Sequence, residues 1–212
     1  MKLSEKFINQ CRKPTGFFGK LMAKGMNKGH SEMASWGLKA IQINSDDIIL
    51  DIGCGGGQNV FNIAQQIKEG KIYGIDYSDI SVKVSKKLNK KFIKSRIVEI
   101  MKASVSSLPF FEDTFDLVTA FETYYFWPDL INDLKGILKM LKPTGSLLLV
   151  NEAFKCENES LRKRNEKWSK LGNFPIHTTQ EIDQFLEEAG FSNIKIMIEE
   201  NQEYFLALGR KT

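Results

Sequence analysis

The chain alternates between short apolar blocks and longer stretches whose apolar residues return every three or four positions. Ile48–Ile52 is apolar apart from Asp51 and rich in isoleucine, which predicts a strand buried on both faces of a parallel sheet. Val60, Ile63, Ala64 and Ile67 then recur at i, i+3, i+4 and i+7, one face of a helix. Lys71–Asp76 reads as a second strand, and Ser78 is placed to cap a helix reaching about Lys91 with Ile80, Val84 and Leu88 inward. Arg96–Met101 and Phe115–Ala120 are the next two strands. A helix follows with Leu130, Leu134, Ile137, Leu138 and Leu141 inward, then a turn at Lys142–Gly145 and a fifth strand at Ser146–Val150.

The two ends carry other patterns. Upstream, Phe18, Leu21, Met22, Gly25 and Met26 keep helical spacing, as do Met33, Trp36, Gly37, Ala40 and Ile41, with Ser31 as an N-cap. Downstream, residues 155–171 are highly charged and helical in character. A loop precedes a helix that begins at Thr178 or Thr179 and stops at Gly190. Asn193–Ile198 and Tyr204–Gly209 form strands across a short polar turn. The expected architecture is α/β: a doubly wound, mostly parallel seven-stranded sheet with a C-terminal antiparallel hairpin and an N-terminal helical addition. Residues 1–45 are expected to form the helical cap and 46–212 the main domain.

With 212 residues, 42% of them hydrophobic and 26% charged, the chain has the balance of a soluble globular domain. No apolar run approaches a membrane span, and the N-terminus lacks the apolar block of a secretory signal. The three cysteines, Cys11, Cys54 and Cys156, are far apart and form no CxxC pair. This predicts a reducing, cytoplasmic setting and no structural metal. The net charge is +4, but residues 1–30 alone carry +6 and the remainder −2. A second basic run holds Lys83, Lys86, Lys87, Lys90, Lys91, Lys94 and Arg96. Neither run contains an RNA-binding signature, so both are expected to be solvated helix faces, with no nucleic-acid partner and no membrane insertion.

The chemistry concentrates where the first strand ends. Gly53-Cys54-Gly55-Gly56-Gly57 puts glycines between a strand and a helix start, where backbone N–H groups are free and a ligand can approach closely. An open parallel sheet binds ligands beyond its carboxyl ends, at this switch point. A nicotinamide fingerprint would need a further glycine where Gln58 stands. Asp76, about 20 residues past the glycines, can take both hydroxyls of a ribose. That spacing fits NAD or an S-adenosyl nucleoside.

The ordered set of motifs is more specific. "LDIGCGGG" resembles the first motif of class I S-adenosylmethionine-dependent methyltransferases, met by Asp51, Gly53, Gly55 and Gly57. "GIDYS" resembles their second motif, "SVSSLPF" at 104–110 the segment before the fourth strand, and "FDLV" with "LKPTGSLLLV" the later core. The likeness covers about residues 46–210, and the chain resembles small-molecule methyltransferases somewhat like the quinone-biosynthesis C-methyltransferases.

The resemblance implies S-adenosylmethionine as the cofactor, bound by Asp51, Gly53, Cys54, Gly55, Gly57, Asp76, Tyr77, Ser104, Val105 and Phe121. Ser104 stands where relatives often have an aspartate that accepts from the adenine amino group, and the Val105 N–H meets the ring. Cys54 fills a position that needs a small side chain. "FETYYFWPD" lacks the histidine pair of many relatives, so a base role attached to those histidines does not carry over; Glu122, just beyond the fourth strand, is the candidate catalytic base or a partner of the cofactor's amine. A base is needed only if the acceptor must lose a proton. Phe18, Met22, Met26, Trp36, Tyr124, Tyr125 and His177 are candidates to line the acceptor pocket, with residues 14–42 as its helical roof and 152–178 as a substrate-side insertion. The expected acceptor is a small molecule. An RNA or protein methyltransferase and a non-catalytic S-adenosylmethionine-binding module are the alternatives.

Overall fold

The computed structural model describes residues 15, 16, 19, 21 and 31–212. Phe18, Met22 and Met26 lie outside these residues, as do positions 22–30 of the roof segment. In chain order the elements are α1 (Ser31–Leu38), β1 (Ile48–Ile52), α2 (Gln58–Ala64), β2 (Lys71–Asp76), α3 (Asp79–Leu88), α4 (Lys90–Lys94), β3 (Val98–Lys102) and β4 (Phe115–Phe121). A 3-10 turn at Tyr124–Phe126 precedes α5 (Leu130–Met140), β5 (Leu141–Asn151), α6 (Glu159–Gly172), α7 (Thr179–Ala189), β6 (Ser192–Ile198) and β7 (Phe205–Arg210).

The strands make one seven-stranded sheet in the order β3-β2-β1-β4-β5-β7-β6. The first five pair in parallel, and β7 runs antiparallel to both β5 and β6. The doubly wound sheet with a terminal hairpin is therefore observed. The order reverses at β1, whose neighbours are β2 on one side and β4 on the other.

Two apolar layers cover the sheet. One joins Leu50, Ile52, Val118 and Leu149 to Leu134 and Ile137 of α5 and Ile182 and Leu186 of α7. The other joins Ile49, Ile72, Leu148 and Val150 to Val60 and Ile63 of α2, Met33 of α1 and Val82 of α3. The α7 start is a full capping box: the Thr178 hydroxyl accepts from the Glu181 N–H while the Glu181 carboxylate accepts from the Thr178 N–H.

Several boundaries differ from the sequence pattern. Helix α2 ends at Ala64, so Ile67 is buried beyond the helix rather than on it. The helix capped by Ser78 does not continue to Lys91. It breaks at Asn89, whose side chain donates to the Ser85 and Gly57 carbonyls, and α4 resumes at Lys90. Its inner face is Ser81, Val82, Val84 and Ser85, while Leu88 is 36% exposed. Arg96 has a left-handed backbone, φ 64°, so β3 starts only at Val98. Lys142–Gly145 is not a free turn but an irregularity inside β5: Phe115 pairs with Leu141 and Leu117 with Ser146. Ser31 is the first residue of α1 rather than its cap.

Helix α1 reaches the sheet through Gly37. A Cβ at this position would stand 2.5 Å from Val150 Cγ2. Gly37→Ala is therefore expected to lower stability in urea denaturation by about 1–3 kcal/mol, the usual cost of overpacking, despite the roughly 1 kcal/mol that alanine gains in a helix. Val150→Ala in the same chain should recover part of the loss.

Candidate functional site

The carboxyl ends of β1, β2, β3 and β4 meet at one edge. Beyond β1 the chain turns through Gly53, Gly55 and Gly57, with φ of 68°, 51° and 82°. These left-handed values suit glycine and strain any other residue. The protein closes the turn on two sides. A Cβ on Gly53 would lie 2.5 Å from Thr123 Oγ1, and one on Gly57 would lie 2.2 Å from Ser85 Oγ. At Gly55 the nearest atom would be 3.9 Å away, so this peptide faces open space. The turn is anchored by Cys54 N–H donating to the Ile75 carbonyl at 2.9 Å and Gly57 N–H donating to the Cys54 carbonyl at 2.8 Å.

Asp51 sits beneath this turn. It is buried, and its register partner across the β1–β4 pair is Thr119, whose hydroxyl donates to Oδ1 at 2.7 Å. The other oxygen, Oδ2, is buried with no hydrogen-bond partner. Burial pushes the Asp51 carboxyl up to about 7, against the Thr119 hydrogen bond. Asp76 ends β2 and accepts from Gly55 N–H at 3.0 Å and Ser78 N–H at 2.8 Å. Burial raises its pKa too, with the two N–H donors opposing. Cys54 is buried in the turn, and burial followed by the Asp76 and Asp51 charges raises its thiol well above the usual value. It fills space rather than reacting.

The adenine-side residues follow from the β2–β3 pairing. Asp76 is opposite Lys102, and Ser104 lies two residues on. Its hydroxyl accepts from Ser106 N–H at 3.3 Å, and Val105 is buried in the core. Tyr77 is at the surface, and Phe121 is buried against the α2 layer. Asp51, the glycines, Asp76, Ser104 and Phe121 thus share one end of the sheet.

Glu122 follows β4 with a left-handed backbone, φ 55°, unusual for a side-chain-bearing residue. One carboxylate oxygen accepts from the backbone N–H of Glu152, just past β5, and the other from the Tyr125 hydroxyl at 2.6 Å. Burial, then the neighbouring Glu152 carboxylate, raises the Glu122 carboxyl to about 8. Glu152 itself lies 3.8 Å from Arg164 on α6. Asn165 bolts the segment in place by donating to the carbonyls of Glu152 and Phe154.

Of the described acceptor-side residues, Tyr124, Tyr125 and His177 are brought together and Trp36 is not. Tyr124 and Tyr125 are both core aromatics, Tyr125 stacked on Phe174 at 4.7 Å. The His177 ring packs against Phe185 and Tyr124, and burial lowers its pKa. Trp36 meets Tyr204 edge-on at 5.2 Å on the opposite face of the sheet from Tyr124.

Several residues that build the site carry no motif. Thr119 holds Asp51, Thr123 crowds Gly53, Asn89 and Ser85 close on Gly57, and Glu152 with Arg164 surrounds Glu122. Each is brought in by strand order or helix docking rather than by spacing along the chain. An alternation-breaking threonine inside the apolar β4 run was the one available signal.

A family model described as "Methyltransferase domain" matches residues 43–190. Among curated relatives, erythromycin 3''-O-methyltransferase of Saccharopolyspora erythraea is 29% identical over 59% of this chain and 41% of its own. Cycloartenol-C-24-methyltransferase 1 of Oryza sativa subsp. japonica is 32% identical over 69% of this chain and 44% of its own. The chain thus spans less than half the length of these relatives. A solved structure described as a SAM dependent methyltransferase from Aquifex aeolicus superposes with a TM-score of 0.74 at 17% identity, over 91% of this chain and 98% of that one, and so shares the fold.

The raised carboxyl of Asp51 has a consequence for stability. Its folded pKa, about 7, exceeds its ordinary value of 3.8, so the native state keeps a proton that the unfolded chain has released. Stability therefore falls as pH rises through this window. Asp51→Asn keeps the acceptor for Thr119 and removes the titration. The urea midpoint of the parent should fall more steeply between pH 5 and about 7 than that of Asp51→Asn.

Proposed function

The chain belongs to the methyltransferase-domain family, and from that premise we propose that it moves a methyl group from S-adenosylmethionine to a small-molecule acceptor by in-line displacement. The observation that carries the reading is the orphaned Oδ2 of Asp51 beneath a glycine turn whose open face is at Gly55. A buried carboxylate oxygen without a donor is costly unless a ligand supplies one, and the turn leaves room for a ligand to approach the backbone. These residues fit the cofactor.

When bound, S-adenosylmethionine supplies a methyl group already activated by a sulfonium. The chain's own tasks are to hold, orient and exclude water. Asp76 accepts from the ribose hydroxyls with the lone pairs that Gly55 and Ser78 leave free, since a carboxylate has about four acceptor sites. Asp51 Oδ2 accepts from a donor at the amino-acid end. Ser104 accepts from the adenine amino group, and the Val105 backbone N–H serves the ring. Orientation alone contributes up to about 7–11 kcal/mol in favourable systems. The roof expected over residues 14–42 would add exclusion of water.

Glu122 is the proton acceptor in this reading. Burial and the Glu152 carboxylate raise its carboxyl to about 8, and it accepts from the Tyr125 hydroxyl and the Glu152 N–H. Small acceptors are supported by the relatives' names: one is named for erythromycin and an O-methyl transfer, the other for cycloartenol and a C-methyl transfer. Release of S-adenosylhomocysteine in the presence of a small acceptor separates this reading from a non-catalytic binding module. Turnover on RNA or protein alone would replace the acceptor class.

Two substitutions test the assignments. Asp76→Ala removes a charge-assisted hydrogen bond of roughly 1.5–3 kcal/mol, so calorimetry should find S-adenosylhomocysteine bound roughly 10- to 150-fold more weakly. Unchanged affinity, or NAD bound more tightly than S-adenosylmethionine, sinks the cofactor assignment. Glu122→Gln keeps the acceptor for Glu152 N–H but cannot take a proton. Turnover should drop by about 10²–10⁴-fold, and the rise in rate with pH through about 8 should vanish, while S-adenosylhomocysteine affinity stays within a few-fold. A parent-like pH profile would make Glu122 a clamp on Glu152 and nothing more.

A further inference from the structure

The second basic run does not behave as a dispersed solvated face. Helices α3 and α4 carry Lys83, Lys86, Lys87, Lys90, Lys91 and Lys94, with Arg96 just beyond, and no acidic residue occurs between Ile80 and Val98. Surface helices normally intersperse glutamates at i+4, because like charges at that spacing repel. Here Lys86, Lys90 and Lys94 repeat at i, i+4 and i+8 without one. The fold supplies no reason for this arrangement, and self-repulsion works against it.

These three lysines line a cavity of about 680 Å³ together with Lys71, Arg96, Glu99, Ile93, Val98 and Ile100. Its only carboxylate, Glu99, is already paired with Lys71 at 2.6 Å. Among the described residues, none of Lys86, Lys90, Lys94 and Arg96 forms an ion pair. The groove therefore presents four uncompensated cations beside the half-buried Ile93, with Val98 and Ile100 buried beneath. It is separate from the glycine turn: Lys71 and Val98 begin their strands, whereas the turn and Asp76 lie at the carboxyl ends of the same parallel sheet. The acceptor cannot be positioned there.

We propose that this groove is a second ligand site, one that takes an anion with two or more phosphates on a compact apolar or flat body, of the nucleoside di- or triphosphate class. The volume lies in the range of small-molecule sites. The cations match the phosphates as point charges, and the half-buried Ile93 with the lysine methylenes is the apolar surface the groove offers the body. A polynucleotide would need a longer track of charge with aromatic stacking partners, and the lining residues include no aromatic ring. A membrane surface would need apolar side chains projecting outward rather than a concave rim. The inference does not depend on the methyl-transfer reading.

The test uses the full chain, saturated with S-adenosylhomocysteine so that the adenosine of the probe cannot enter the glycine-turn site. Calorimetric titration with ATP is expected to give a Kd in the micromolar range that weakens as salt is raised, with adenosine giving no binding. Lys86→Gln/Lys90→Gln/Lys94→Gln should lose about tenfold or more in ATP affinity, as expected when several charged partners are removed. Its thermal stability should hold or rise, because repulsion is relieved. Its S-adenosylhomocysteine affinity should be unchanged. Lys20→Gln/Lys24→Gln/Lys28→Gln, in the other basic run, should bind ATP like the parent. The proposal is overturned if ATP fails to bind at millimolar concentration or if the groove variant binds it as well as the parent. It is equally overturned if the groove lysines matter only for single-stranded RNA or for phosphatidylglycerol vesicles.

Discussion

Parallel pairing of β1 with β2 on one side and β4 on the other is the constraint on which the rest of the molecule depends. It sets Asp51 opposite Thr119 and opposite Gly74, and it ends three strands at one edge. Ligand chemistry needs irregular backbone with free N–H groups, and such backbone is tolerated only where ordered strands stop. The glycine turn, the end of β2 and the left-handed Glu122 all occupy that boundary. The apolar layers on both faces hold the strands so firmly that the strained residues past them keep their conformation.

The same boundary gathers negative charge. Asp51, Asp76 and Glu122 are three carboxyl groups in a partly buried region, and burial is the largest cause of the upward pKa shift in each. The compensations differ. Asp76 has two backbone N–H donors, Glu122 has a tyrosine hydroxyl and one N–H, and Asp51 has a single hydroxyl and one oxygen left bare. The three carboxyl groups are thus satisfied to different degrees by the chain itself.

Charge is distributed in the opposite sense elsewhere. The basic helices α3 and α4 return along the sheet from the Asp76 end to the start of β3, so their cations collect at the far end from the carboxylates. Asn89 is the joint between them. Its side chain ties the Gly57 carbonyl to α3, which couples the glycine turn mechanically to the helix pair that lines the basic groove.

The sequence by itself determined the layer architecture, because periods of 2 and 3.6 and the glycine cluster are local properties of the chain. Ile48–Ile52, the Ser78 and Thr178 caps and the Gly53–Gly57 turn could all be read this way. It also marked Asp51, Asp76 and Glu122 as the residues of interest. Tertiary structure decided what those residues meet. Thr119 reaches Asp51 only because β4 inserts beside β1, and Glu152 reaches Glu122 only because β5 lies next to β4. Tyr124 joined the core, and the half-buried His177 packs beside it, because Phe205 and Phe185 arrive from β7 and α7. Boundaries shifted for the same reason: Asn89 ends α3 through a bond to a carbonyl 32 residues away, and Lys142–Gly145 is absorbed into β5 by its pairing with β4. Contacts between distant segments leave no period in the chain, so they become visible only once the sheet is assembled.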